Sequence, residues 1–247
     1  MRVLWNNLID SAALSCFSEN PNYPLSNVKE TQLSSRFQTV GNDGEYIVMD
    51  CTVAVPVSRF AIIGHNLSAS ATITLQGNTT NTWAAPAFSQ TVTRKSWAII
   101  HRFTEESYRY WRVVITDTGV SDIRISRLFL GTFLQLPGMK KDQEFNFEVT
   151  DEAQISETGQ VFPVSGYSFK SQKINFPYLT NDERFQIEEM FEAVRNTKPV
   201  LLAVWDDRED IEPPVYCIIN QKKLSFKRNE DSESFPWGTG LEIREAK

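Results

Sequence analysis

Three side chains in one long polar loop have the chemistry of a binding site. The segment Asn78–Ser96 is rich in Asn, Thr and Ser, and it contains Trp83, Phe88 and Arg94. Flat aromatic rings beside a planar guanidinium are the residue types that stack on sugar rings or anchor protein interfaces. The sequence therefore predicts a loop that binds a glycan or a protein. One alternative stays open, in which Trp83 and Phe88 fold back and cap the core of a barrel.

The sequence lacks the patterns that are typical of enzymes. Its two histidines, His65 and His101, have no glycine-rich phosphate loop and no Ser or Cys nucleophile motif to accompany them. The cysteines at positions 16, 51 and 217 lack the short spacings of a zinc site. We therefore expect no catalytic residue, no metal and no cofactor.

An acidic loop at Asp206–Glu212 could attract a cation. Calcium loops, however, place their ligands at set alternating positions and have a glycine at the bend, which this segment lacks. We interpret the segment as a solvated acidic turn.

Charge changes along the chain and indicates two domains. Residues 1–137 carry 11 Lys and Arg against 10 Asp and Glu, whereas residues 138–247 carry 14 against 21. The change falls at the turn signal Pro137-Gly138, which we take as a domain boundary. There is no basic stripe for nucleic acid, no apolar run of the roughly 18 to 20 residues that a membrane helix needs, and no signal-peptide pattern at the start. We therefore expect no nucleic-acid partner, no membrane insertion and no secretion.

Short strands with polar turns fill the first half of the chain. Val57–Gln76 contains a short apolar run followed by strict alternation of apolar and polar residues, which predicts one buried and one half-buried strand. Pro56 is expected to separate this pair from a preceding strand at Glu45–Cys51. Tyr108–Asp117 alternates in the same way. The pattern predicts a sandwich or jelly roll of about 135 residues.

Several segments of residues 1–136, taken in order, resemble the discoidin-like, galactose-binding-like jelly roll. The segments are Ser26-Asn27-Val28, Tyr46–Asp50, Val57–Asn66 with its final Gly-His-Asn, Ala71–Gly77, Tyr110–Val114 and Ile125–Gly131. In that family, loops at one end of the barrel contact glycans, lipids or proteins. The resemblance implies such loops at Asn20–Lys29, Gln38–Glu45 and Asn78–Ser96.

One amphipathic helix is predicted in the second half. Thr180-Asn-Asp-Glu183 is a capping box, and the following apolar residues have helical spacing, which predicts a helix of about 15 residues. The apolar stripe consists of Ile187, Met190, Phe191 and Val194. Phe185 points away from the stripe, so we predict an exposed ring that makes a subunit contact. Strands on both sides of the helix complete a small α+β domain over residues 138–247.

The segment Phe176–Arg195, followed by Lys198–Trp205, is similar to the tail-tube-like domain of long-tailed bacteriophages, which occurs in tube, distal tail and hub proteins. In distal tail proteins the ring-forming domain comes first and the accessory β domain second, whereas the order here is reversed. The resemblance implies that residues 138–247 form a homo-oligomeric ring, such as a hexamer, and contact other tail proteins of the tube and hub.

We therefore predict a mainly β protein with an N-terminal β-sandwich or jelly roll (1–136) and a C-terminal α+β tail-tube-like domain with one helix (138–247). The predicted function is that of a virion structural protein in a phage tail tip or baseplate, made in the bacterial host cytoplasm. The alternative is a glycan-binding adhesin or lectin-like module that uses Asn78–Ser96 to bind a host-surface glycan. A hydrolase would require catalysis by His65 or a carboxylate such as Asp50, and we expect none.

Overall fold

Most of the described chain is β-strand, which confirms the predicted mainly β fold class. The computed structural model describes residues 1–96, 98–136, 144–203, 214–228 and 236–246. The predicted boundary at Pro137-Gly138 and the acidic loop Asp206–Glu212 lie outside these residues. The described residues form two compact units, the first of which is Leu4–Leu134. The second contains Met1–Val3 together with the described residues of 135–203 and 215–246.

The first unit is built from antiparallel strands and two short 3-10 helices, at Leu8–Asp10 and Leu25–Lys29. The first strand of the chain, β1 (Arg2–Leu4), belongs to the sheet of the second unit. The strands of the first unit in chain order are β2 (Ala13–Cys16), β3 (Phe37–Gln38), β4 (Glu45–His65), β5 (Thr72–Asn78), β6 (Phe88–Thr91), β7 (Ile99–Thr116) and β8 (Arg124–Gly131). They are hydrogen-bonded in the order β3-β8-β4-β7-β5-β6, with β2 beside β4.

Strand β4 is long enough to contribute to both layers of a sandwich. It pairs with β7 on both sides of two register breaks, which follow Asp50 and Val57. Strand β2 adjoins the first half of β4 and β8 adjoins the second half. The strand therefore passes from one layer to the other, and the two layers enclose one apolar core.

Pro56 does not separate two strands, so that prediction is wrong. Strand β4 runs through it for 21 residues. Pro56 lies opposite Ser107, between the two register breaks, and nearby Thr52 has a φ of 69°. Proline lacks a backbone N–H and is accepted in a strand mainly at an edge or an irregularity. The irregular stretch supplies that setting.

The core of the first unit is organised around one tryptophan. The side chain of Trp111 on β7 is fully buried. The rings of Phe88, Phe103 and Tyr108 lie with their centroids 5.5, 5.7 and 5.6 Å from it. Because successive residues of a strand face opposite sides, burial of Trp111 turns its neighbour Arg112 to the outer face of the sheet.

The described residues of the second unit form a main β-sheet, a two-stranded hairpin and one α-helix. Its remaining elements in chain order are β9 (Leu134–Gln135), β10 (Glu144–Val149), β11 (Glu152–Ile155), β12 (Val161–Val164), β13 (Ser168–Leu179), α1 (Asn181–Val194), β14 (Val200–Ala203), β15 (Val215–Ile219), β16 (Lys227–Arg228) and β17 (Trp237–Glu245). The main sheet has the order β10-β13-β17-β15-β14-β1-β9, with β16 beside β17. Strands β11 and β12 form a separate hairpin.

The predicted helix and its capping box are confirmed. Thr180 accepts a hydrogen bond from the Glu183 amide at 3.2 Å, and the Glu183 carboxylate accepts one from the Thr180 amide at 2.8 Å. Ile187, Met190 and Val194 of the predicted stripe are buried, whereas its fourth member, Phe191, is half-buried. Among the described residues, no helix is long and apolar enough to cross a membrane.

Replacing Thr180 with Ala should destabilise the second unit by about 1 kcal/mol, because the N-terminal turn of α1 loses the side chain that accepts its Glu183 amide. Thr180→Ser keeps the hydroxyl and serves as the control. Urea unfolding measured by circular dichroism, with hydrogen exchange at the Glu183 amide, tests this. Equal stability and equal exchange protection in the two variants would contradict it.

Candidate functional site

The three residues predicted to bind a ligand from the long loop have different surroundings. Phe88 begins strand β6, is 7% exposed, and packs its ring 4.9 Å from that of Phe103 and 5.5 Å from that of Trp111. Phe88 therefore folds back and caps the core, which is the alternative that the sequence left open. A ring buried in this way offers no face to a ligand, so the prediction of Phe88 as a binding residue is corrected.

Arg94 holds a turn of the first unit in place. Its Nη2 donates a hydrogen bond to the Leu67 carbonyl oxygen at 2.7 Å. Asp117 lies close enough for Arg94 to lower the pKa of its carboxyl. Among the described contacts, none joins Arg94 to Trp83. The loop spacing therefore did not predict which partners Arg94 would have.

Trp83 is half-buried and lies on an arginine. The guanidinium carbon of Arg112 is 4.5 Å from the centre of the indole ring. The indole Nε1 donates a hydrogen bond to the Asn81 side-chain oxygen at 2.7 Å, which fixes the plane of the ring. The position of Trp83 therefore combines partial exposure with a restrained orientation.

Arg112 connects Trp83 to the strands beneath it. Its Nε and Nη2 donate to the Gln76 side-chain oxygen at 2.8 and 2.6 Å, across the β5–β7 pair in which these two residues are directly opposite. The Tyr46 ring lies 5.4 Å from the guanidinium. Burial lowers the pKa of Arg112, although nearby Tyr46 partly opposes this. We call Tyr46, Gln76, Trp83 and Arg112 the Trp83 patch.

Trp83 is recognisable from the sequence as a candidate binding residue, whereas the other members of the Trp83 patch are not. Tyr46 and Arg112 lie in segments that alternate polar and apolar residues, which indicates an outward side chain but not its neighbours. The pairing of β5 with β7 decides that Gln76 meets Arg112. Register between strands distant in sequence was the missing information.

An ion pair near the Trp83 patch bears on the hydrolase alternative. Arg109 donates two hydrogen bonds to the Asp50 carboxylate, at 2.8 and 2.9 Å. These bonds are the main cause that lowers the pKa of Asp50 to about 2. A carboxylate with so low a pKa is a poor general base and is not protonated at neutral pH to act as an acid.

The two histidines make ordinary hydrogen bonds. His65 Nδ1 accepts from the Leu67 amide at 3.2 Å, and His101 Nε2 is 3.0 Å from the Gln90 side-chain oxygen. Burial, aided by the charge of Arg59, lowers the pKa of His101. Within the described residues, no group of three or more His, Cys, Asp or Glu is arranged to hold a metal ion.

The predicted exposure of Phe185 is confirmed. Its side chain is 59% exposed on α1, whereas Ile187 on the same helix is fully buried. The Arg184 guanidinium lies 5.5 Å from the Phe185 ring. A role for Phe185 in a subunit contact stays a prediction.

A hairpin in the second unit presents a larger apolar surface. Every residue of β11 and β12 is exposed. Ile155 and Val161 are directly opposite each other and are 70% and 60% exposed. Phe162, on the other face, is 53% exposed. Its exposed apolar residues make this element a second candidate interaction surface.

Comparisons with known proteins find likeness only in structure. No family model matches the chain, and no curated protein matches it. Chitosan-binding module 1 of a chitosanase/glucanase from Paenibacillus sp. IK-5 is 19% identical, with a TM-score of 0.42 over 51% of this chain and 99% of that one. A fucose-binding module from Streptococcus pneumoniae is 13% identical, with a TM-score of 0.43 over 51% and 94%. Likenesses this weak do not establish a shared function.

The surroundings of Arg94 lead to a pH-dependent prediction for Asp117. This fully buried carboxylate accepts hydrogen bonds from the Ser68 amide at 2.6 Å, the Ser68 hydroxyl and the Gly119 amide at 3.0 Å. Burial is the largest single influence and would raise the pKa of Asp117, but these bonds and the charge of Arg94 outweigh it, and the pKa is lowered from its ordinary value of 3.8.

Asp117→Asn should therefore lower the free energy of unfolding of the first unit by about 1 to 3 kcal/mol at pH 7, because an amide nitrogen faces donors that the carboxylate accepted. Because the pKa of Asp117 is lower in the folded protein than its ordinary value of 3.8, the ionised carboxylate stabilises the fold at pH values above 3.8. This contribution is lost as the pH falls through the folded-state pKa. Urea unfolding of both proteins between pH 3 and pH 7 measures the difference. A difference that widens as the pH falls contradicts the assignment.

Proposed function

We propose that the chain is a binding protein without catalytic activity, and that its first unit binds carbohydrate at the Trp83 patch. The observation that supports this most is the half-buried indole of Trp83, which lies 4.5 Å from the guanidinium of Arg112. Binding sites for small polar ligands combine apolar or aromatic surface with a few polar groups in fixed positions. The Trp83 patch supplies both.

The Trp83 patch is ordered before a ligand arrives. Gln76 accepts two hydrogen bonds from Arg112, and Asn81 accepts one from the indole of Trp83. Side chains already held in one conformation lose less entropy on binding. The Arg112 Nη1 atom makes no hydrogen bond with any described residue and is available as a donor to a sugar hydroxyl.

Trp83→Ala should weaken glycan binding at least tenfold, because the ring that would stack on the sugar is removed. Arg112→Lys should also weaken it, since an ammonium cannot form the same paired hydrogen bonds or lie flat on the indole. Tyr178→Ala serves as the matched control, because Tyr178 is an aromatic residue of the second unit that is 62% exposed.

Glycan-array binding followed by titration calorimetry on the strongest hits measures these effects. We expect the control to bind like the wild type. Failure of the wild type to bind any arrayed glycan, or equal affinity of the wild type and Trp83→Ala, would overturn the proposal.

The exposed hairpin of the second unit favours a second candidate function. We propose that the chain is also a virion structural protein of a long-tailed bacteriophage and forms part of a homo-oligomeric ring at the tail tip or baseplate. Sheet edges and exposed apolar strands are surfaces through which chains associate. Strand β10 is an edge strand of the main sheet, and its Phe147 and Val149 are 66% and 56% exposed. The tube and hub proteins of the tail are the neighbours proposed for this ring.

Phe162→Glu should reduce self-association of the full chain, because the substitution adds a charge to an exposed apolar surface that needs burial. Val53→Glu is the matched control, since Val53 is 62% exposed in the first unit. Light scattering after size-exclusion chromatography gives the oligomeric state. A wild type that stays monomeric, alone and in virions, contradicts the structural role, and an unchanged oligomer in Phe162→Glu contradicts the assignment of the hairpin.

A further inference from the structure

A groove of about 540 Å³, lined by both polar and apolar residues, lies on the outer face of the main sheet in the second unit. Its floor is formed by β13 and β17, and one wall is formed by the chain from Gln221 to Lys227. It belongs to a different unit from the Trp83 patch. Its volume falls within the range of about 300 to 1,000 Å³ that is usual for sites of small ligands.

The groove exists because two glycines occupy outward positions on β17. Thr239 and Leu241 face the buried side, so Gly238 and Gly240 face outward. Neither carries a side chain to fill the space above the backbone. A Cβ atom at Gly240 would lie 3.0 Å from the side-chain oxygen of Asn175 on the paired strand, so even a methyl group is crowded there.

The wall of the groove is fixed to the sheet. Gln221 accepts a hydrogen bond from the Glu242 amide at 2.8 Å and donates one to the Gly240 carbonyl at 3.4 Å. The Thr239 hydroxyl donates to the Ser225 carbonyl at 2.8 Å. These side-chain bonds hold the segment that carries the lining lysines, so the groove is formed in the absence of a ligand.

Positive charge dominates the groove although the second half of the sequence is acidic. Lys173, Lys223 and Lys227 line it, and Glu242 is the one carboxylate among its described lining residues. Lys173 Nζ is 3.4 Å from the Glu242 carboxylate, whereas Lys223 and Lys227 form no ion pair with any described residue. Among the described residues, the ammonium groups of Lys223 and Lys227 therefore have no carboxylate partner beside the groove.

We propose that this groove binds a small sugar that carries an oxyanion, either phosphate or carboxylate. The ammonium groups of Lys223 and Lys227 attract the oxyanion, since lysine binds such groups as a point charge. Asn175, Gln221 and Ser225 add polar groups suited to hydroxyls, and Pro177 adds apolar surface for a sugar ring.

Titration calorimetry of the full chain with glucose 6-phosphate and with glucuronate tests the proposal, and glucose and inorganic phosphate are the comparison ligands. We expect at least one of the two anionic sugars to bind at least tenfold more tightly than both comparison ligands. Absence of binding by both at millimolar concentration overturns the proposal. Inorganic phosphate that binds as tightly as glucose 6-phosphate overturns the sugar assignment.

The double variant Lys223→Gln/Lys227→Gln should lose at least tenfold in affinity for the sugar that binds. Lys222→Gln is the matched control, because Lys222 is an exposed lysine of the same segment that does not line the groove. Equal affinity in the double variant and the control places the ligand elsewhere.

The proposal is independent of the carbohydrate site in the first unit. Trp83→Ala should bind the anionic sugar as the wild type does. Loss of that binding in Trp83→Ala would assign the ligand to the Trp83 patch and would overturn the groove as its site.

Discussion

The antiparallel pairing of β4 with β7 is the contact on which the first unit depends. One ladder presents Trp111 to the core and the adjacent Arg112 to the outer face. A shift of one residue would reverse both faces, burying a guanidinium and exposing a large indole. The core therefore fixes the register, and the register places Arg112 opposite Gln76 and within reach of Trp83. The candidate binding surface is a consequence of how the core packs.

The parts of the first unit that could be predicted from sequence are those determined by local pattern. Alternation along Tyr108–Asp117 indicated a half-buried strand, and the structure contains one. The burial of Phe88 could not be predicted from the neighbouring sequence, because it depends on the pairing of β6 with β5, in which Phe88 lies opposite Gly77. Arg112 was missed for a similar reason, since its partners lie on β4, β5 and a loop. Contacts between distant strands carry the information that a single sequence does not display.

In the second unit too, features set by local sequence were predictable and features set by contacts between distant strands were not. The helix was predictable because its capping box and apolar stripe lie within 15 residues, and propensity and periodicity act over that distance. The sheet to which β1 belongs was not predictable. This strand opens the chain, yet it pairs in the main sheet with strands that all follow residue 133 in sequence. The groove was missed as well. The open space above Gly238 and Gly240 depends on the pairing of β17 with β13, which places Gly240 opposite Asn175.

The β11–β12 hairpin differs from the other candidate surfaces in what stabilises it. The Trp83 patch and the groove over β13 and β17 each lie on the outer face of a sheet whose inner face is buried. The core therefore holds both surfaces in place whether or not a ligand binds. No residue of β11 or β12 is buried. Ordering a residue costs about 1 to 2 kcal/mol, whereas a hydrogen bond returns about 1 kcal/mol. Hydrogen bonds between Thr150 and Tyr167 join the hairpin to β10 and β13, but they bury no apolar side chain of the hairpin, and apolar contact with a neighbouring chain at Ile155, Val161 and Phe162 would supply that burial.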